Sequence, residues 1–115
     1  MKEQSYRKLE RVTKRSRFKG IYNQGMWRSS QHFTAVTCSN TQGVKRLGIT
    51  VTKKTGNAAK RNRIKRLIRE FFRLNKGLFP DEHDIIIMAK RYMPPLTYKQ
   101  ACDELTELFT RKNDI

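Results

Sequence analysis

The sequence predicts an α+β fold in a single domain, a small β-sheet packed with helices. Three observations carry that prediction. Two short alternating segments precede a long amphipathic helix pattern, a third apolar segment follows it, and a second amphipathic helix pattern closes the chain. At 115 residues there is room for one modest core and not for two, so residues 1–115 are read as one domain. Hydrophobic residues make up 37%, with six Phe, four Tyr and one Trp, which is enough apolar surface to fold.

Residues 1–12 are polar and basic and are expected to form a flexible arm. Thr13 is placed to cap a helix over Lys14 to Gln24, with Phe18, Ile21 and Tyr22 at i, i+3 and i+4 and Gly25 at its end. His32 to Cys38 reads as a strand, with Phe33, Ala35 and Thr37 on one face and Thr34, Val36 and Cys38 on the other. After a turn, Leu47 to Thr52 forms a second strand. Leu47, Ile49 and Val51 share its apolar face; Gly48, Thr50 and Thr52 share a small, polar one open to a ligand. Asn57 caps a helix running to about Lys76, which Gly77 and Pro80 end. Asp84 to Lys90 is a third strand, its unbroken apolar run implying burial on both faces. Pro94-Pro95 stops it, and Thr97 with Gln100 makes a T-x-x-Q capping box for a last helix bearing Ala101, Cys102, Leu105, Leu108 and Phe109 on one face.

Charge narrows the function. Lys and Arg outnumber Asp and Glu by 26 to 10, a net of +16, and the excess is uneven. Residues 1–76 hold 21 basic and three acidic side chains, whereas residues 77–115 hold five and seven. A dedicated cationic surface in so small a domain points to a polyanion. The longest strongly apolar run, Ile85 to Ala89, is far too short to span a membrane, and no apolar segment of the secretory kind follows Met1. Cys38 and Cys102 are isolated, which suits a reducing cytoplasm. Nucleic acid is the expected partner.

The cations concentrate in KRNRIKRLIREFFR, residues 60–73, where seven of fourteen side chains are basic and Glu70 is the single acid. At 100° per residue, Ile64, Leu67, Ile68, Phe71, Phe72 and Leu74 fall in one sector. Asn62, Arg66, Arg69 and Arg73 lie opposite; Arg61 and Lys65 flank the apolar stripe on one side and Arg63 on the other. Most charged helix faces are merely solvated, but those mix signs to gain i, i+4 pairs. Here Lys60, Arg61 and Arg63 also crowd the first turns, where the helix dipole opposes cations and favours phosphate. Lys53 and Lys54 lie just upstream. Phe18 and Tyr22, among Arg15, Arg17 and Lys19, are candidates for stacking on bases, although core packing is the commoner use of such a pair.

Catalytic residues are missing from this pattern. The ten acids form no tight metal-ligand cluster, His32 and His83 lack a second ligand at metal spacing, and no phosphate-binding Gly loop or nucleophilic triad appears. The protein is expected to bind rather than to cut. A ribosomal or assembly protein is the alternative, and a metal-dependent nuclease acting alone is the third class.

The block LGITVTKKTGNAAKRNRIKRLIREFF, Leu47 to Phe72, resembles the signature of the bacterial ribonuclease P protein subunit: a strand ending in paired Lys, a Gly-Asn cap, and Arg-Asn-Arg opening a basic helix. The likeness extends to RFKGIYNQG, HFTAV, DIIIMAKR and the closing helix. It implies a left-handed β-α-β crossover, against the usual rule, and a cytoplasmic ribonucleoprotein endonuclease whose RNA subunit removes the 5′ leader of precursor tRNA. Mg2+ would be held chiefly by RNA, with no catalytic or metal-binding residue on the protein and no obligate protein partner. By the same resemblance Arg61, Asn62, Arg63, Lys65, Arg66 and Arg69 contact the catalytic RNA, with Lys53, Lys54 and Lys60 nearby and Arg73 continuing the stripe. The leader cleft would be formed by Phe18, Tyr22, Thr34 and Val36, with Lys90 at its edge; Val36 stands where some relatives carry an aromatic.

Overall fold

The most apolar strand sits in the middle. The computed structural model describes residues 10–111. Its strands are β1 (Met26–Ser29), β2 (Phe33–Ser39), β3 (Arg46–Thr50) and β4 (His83–Ala89), in the sheet order β1-β2-β4-β3. β4 runs antiparallel to β2 and parallel to β3, so β3 and β4 are joined by a crossover through α2 (Ala58–Leu74). The other helices are α1 (Arg15–Gln24) and α3 (Tyr98–Thr110), and a 3-10 turn covers Lys76–Leu78.

Side-chain alternation in β4 divides the molecule into two layers. Ile85 and Ile87 point to the larger core with Phe33, Ala35, Leu47, Ile64, Ile68, Phe71, Phe72, Leu105 and Leu108, under α2 and α3. Ile86 points the other way, to a smaller cluster with Val12, Ile21 and Val36 beneath α1. The double burial expected of this strand is what fixes it at the centre: Ile85, Ile86 and Ile87 are all fully buried. Phe79 completes the larger core, its ring 4.8 Å from Phe109, 5.1 Å from Phe72 and 6.0 Å from Phe71.

The helix ends follow the sequence in two cases of three. Asn57 accepts from the Lys60 N–H at α2, and Thr97 and Gln100 close a reciprocal capping box at α3. At α1 the cap position falls to Lys14, with no side-chain hydrogen bond, so Thr13 does not cap. α2 stops at Leu74, earlier than expected. Asn75 takes the C-cap and donates its side-chain amide to the Phe71 carbonyl, and Leu74 is 41% exposed rather than part of the core stripe.

β1 is absent from the sequence reading. It is a four-residue edge strand with three exposed side chains, too short to show alternation, and its register with β2 pairs Trp27 with Val36 and Ser29 with Thr34. Gly25 makes the tight passage from α1 into β1 possible. A Cβ there would lie 2.5 Å from Val36 Cγ1 and 2.6 Å from the Ile21 carbonyl oxygen. Most of the arm expected over residues 1–12 lies outside the described residues, but its last three are docked. Glu10 and Val12 are buried, Lys76 Nζ lies 2.7 Å from Glu10, and the Val12 N–H donates to the Leu47 carbonyl at 3.0 Å.

Candidate nucleic-acid interface

The residues singled out in the sequence fall on two surfaces, on opposite layers. On α2, Ile64, Ile68, Phe71 and Phe72 anchor one side, each worth roughly 1.5–3 kcal/mol of burial. That outweighs the few tenths of a kcal/mol that each like-charge i, i+4 pair on the outer side costs. The helix is therefore held while its cations stay unneutralised: Asn62, Lys65, Arg66 and Arg69 have no hydrogen-bond or ion-pair partner among the described residues. Asn62, Arg66 and Arg69 are exposed and face outward, and Lys53 and Lys54 are exposed in the turn before the helix.

Not every predicted cation is equally available. Lys60 donates to the Met93 carbonyl, Arg61 to the Gly56 carbonyl at 2.9 Å and Arg63 to the Leu96 carbonyl at 2.6 Å. These three brace the start of α2 against neighbouring loops through carbonyl acceptors, not carboxylates. Arg73 is engaged more fully, its Nε and Nη2 donating to the two Glu70 oxygens at 2.9 and 2.7 Å. That hydrogen bonding holds the Glu70 carboxyl below its usual range. The free stripe therefore runs from Asn62 to Arg69, with its far end internally paired.

The second surface is a cleft on the α1 side of the sheet. Ser29, Thr34, Met88 and Thr50 are paired in register across all four strands and form its floor. The adjacent row of Trp27, Val36, Ile86 and Gly48 runs beneath α1. The Tyr22 hydroxyl lies 3.2 Å from Thr50 Oγ1, and the Tyr22 ring is 6.3 Å from Phe18 and 5.8 Å from Trp27. Trp27, 52% exposed and donating its indole N–H to the Tyr22 carbonyl, adds an aromatic wall that sequence reasoning missed. Its signal was its position, the chain's single Trp three residues past the end of a helix already carrying two candidate stacking rings. Lys90 lies at the cleft's edge, its amine donating to the Ser30 carbonyl.

Val36 is a correction. It is fully buried between Ile21, Ile86 and Gly25, so it supports the cleft from below and offers no surface to a ligand. Phe18, Tyr22 and Thr34 are half-buried and retain exposed area. Gly48 sets the depth. A Cβ there would sit 2.7 Å from Phe18 Cζ, so only glycine lets the ring settle on β3.

α1 buries Ile21 alone and needs a further attachment. Asp84 provides it. Its fully buried carboxylate accepts from Arg17 Nε at 2.6 Å, from Arg46 Nε and Nη2 at 2.7 and 2.8 Å, and from Asn40 Nδ2 at 2.7 Å. Burial pushes its pKa up, but the hydrogen bonds from Arg46, Arg17 and Asn40 outweigh it and hold the carboxyl below the usual range. Arg17 is thus structural, not one of the cleft's free cations. On the opposite flank, Glu104 accepts from Ser30 Oγ and from the His32 N–H at 2.6 Å, and lies 2.7 Å from His32 Nδ1, tying α3 to the β1–β2 turn.

The two surfaces communicate at the β3 edge. A hollow of about 420 Å³ in the other direction, beside Met93 to Leu96, is largely apolar, whereas the one at this edge, about 390 Å³, joins Phe18 and Gly48 of the cleft to Lys65 and Arg69 of α2, with Arg11 beside them. Among the described residues no group of three or more His, Cys, Asp or Glu could hold a metal ion, and no helix is long and apolar enough to cross a membrane.

Comparison with known proteins identifies the family. Residues 6–113 match the family described as Ribonuclease P. The chain is 49% identical over 112 residues to the ribonuclease P protein component of Syntrophus aciditrophicus (strain SB), covering 97% of this chain and 94% of that one. The solved RNase P protein of Staphylococcus aureus superposes with a TM-score of 0.81 at 36% identity, covering 88% of this chain and 93% of that one. That of Thermotoga maritima gives 0.80 at 30% identity, covering 91% and 99%. An unneutralised arginine stripe, a half-open aromatic cleft and this degree of likeness place the chain in the ribonuclease P protein family, the protein component of a ribonucleoprotein whose partner is an RNA subunit.

Proposed function

We propose that α2 docks the chain on the catalytic RNA through Asn62, Lys65, Arg66 and Arg69, with Lys53, Lys54, Lys60, Arg61 and Arg63 extending the contact, while the α1 cleft holds the single-stranded 5′ leader of precursor tRNA. The hollow at the β3 edge carries this reading, because there Phe18 and Gly48 of the cleft lie beside Lys65 and Arg69 of the stripe, so that a leader in the cleft and an RNA docked on α2 would adjoin. Opposite layers allow both ligands to bind at once. A leader is present on precursor and lost from product, so cleft binding favours substrate capture and product release without a general acid or base. Mg2+ for the cleavage step would be held chiefly by the RNA.

The test is cleavage of precursor tRNA at low Mg2+ by the catalytic RNA, the protein, or both. The mixture should cleave where neither part does so efficiently. Cleavage by RNA-free protein, or no gain from the mixture, would overturn the reading.

A further inference from the structure

The loop after β4 carries an aromatic ring that the fold does not use. Tyr92 is 83% exposed, more than any other large apolar side chain among the described residues. Its backbone has φ +53°, a left-handed conformation in which glycine or asparagine is at ease and tyrosine is strained. The residue is nevertheless held firmly. Its N–H donates to the Lys54 carbonyl at 3.3 Å, and the next residue, Met93, is buried with its carbonyl accepting from Lys60. Its side chain has no hydrogen-bond or ring partner among the described residues.

The charged residues next to it in the chain and across its backbone hydrogen bond are all basic. Lys90 and Arg91 precede it, and Lys53 and Lys54 occupy the turn that its own N–H bridges. A strained, anchored aromatic on a backbone that also carries this many cations is poorly suited to an apolar protein partner. It suits an unpaired nucleotide, whose base stacks while its phosphates meet the cations. The position is also apt, at the end of the sheet between Lys90 at the cleft's edge and the start of α2.

We propose that Tyr92 is a stacking platform for one unpaired RNA nucleotide, extending the grip of the cleft past Lys90. This rests on the RNA-binding reading above. The nucleotide comes either from the leader or from a loop of the catalytic RNA; the chemistry is shared and the experiment separates the two.

Tyr92→Asn and Tyr92→Gly remove the ring and relieve the backbone, and Tyr92→Phe keeps the ring without its hydroxyl. Each full-length variant is titrated with leader-bearing precursor tRNA, mature tRNA and catalytic RNA, alongside a thermal melt. The Asn and Gly variants should melt at or above the parent temperature yet bind about ten-fold more weakly, and Phe should stay within about two-fold. A loss confined to precursor assigns the leader; a loss confined to catalytic RNA assigns that subunit. Unchanged binding by Asn and Gly, a lowered melting temperature in both, or an equal loss in Phe would overturn the proposal. Arg66→Ala with Arg69→Ala serves as the control. If it weakens RNA binding while the Tyr92 variants do not, only the platform fails; if neither has an effect, the RNA-binding reading itself fails.

Discussion

Phe18 and Tyr22 were legible as a pair because they lie one helical turn apart among cations, and the structure stands both over β3, on Gly48 and Thr50. Removing both rings, Phe18→Ala with Tyr22→Ala, should weaken precursor tRNA binding by about ten-fold or more while leaving mature tRNA affinity nearly unchanged, as read by filter binding. Equal losses for both ligands would remove the leader from the cleft. Gly48→Ala tests the same wall from beneath. Its methyl must displace the Phe18 ring, so it should cost about 1–3 kcal/mol in denaturant unfolding and weaken precursor binding in the same direction. Val36 was not legible as a core residue. A strand pattern gives the face on which a side chain lies, but not which rows of that face a helix will cover.

Among the elements, α2 was the most readable, since a 17-residue helix repeats its apolar and cationic stripes often enough to define both. The pairing within its last turn was harder to foresee. Glu70 and Arg73 are three residues apart, and nothing in the spacing says whether such a pair closes. Arg66→Ala with Arg69→Ala should therefore reduce the salt dependence of catalytic-RNA binding by about one unit of slope per lost phosphate contact. Arg73→Ala should reduce it less, because its guanidinium is already shared with a carboxylate. Equal reductions would show that RNA displaces Glu70. β1 lay at the other extreme: four residues, mostly exposed, take their strand identity from β2 and not from their own composition.

For the molecule as a whole, the buried Asp84 joins the layers. It belongs to β4 yet holds α1 through Arg17 and the edge strand through Arg46. Asp84→Asn should cost about 2–4 kcal/mol, since it leaves two partly buried guanidinium groups without their counter-charge. The folded carboxyl titrates below the unfolded value of 3.8, so its stabilisation is complete well above that pH and is lost as pH falls through the folded value. Urea unfolding at pH 7 and at pH 3 should show a smaller gap between parent and Asp84→Asn at the lower pH; an unchanged gap would mean that the charge does not do this work. Nothing in the sequence singled out Asp84 from the other nine acids, because its three partners come from residues 17, 40 and 46, distant in the chain.

The sheet order also governs when the molecule can take shape during synthesis. β2 and β3 have no direct pairing and wait for β4, the final strand to leave the ribosome, to slide between them. The basic helix is thus translated ahead of the strand that closes the sheet over which it packs. For that interval a nascent polycation is present without its finished scaffold, and any RNA in reach meets it before the cleft exists.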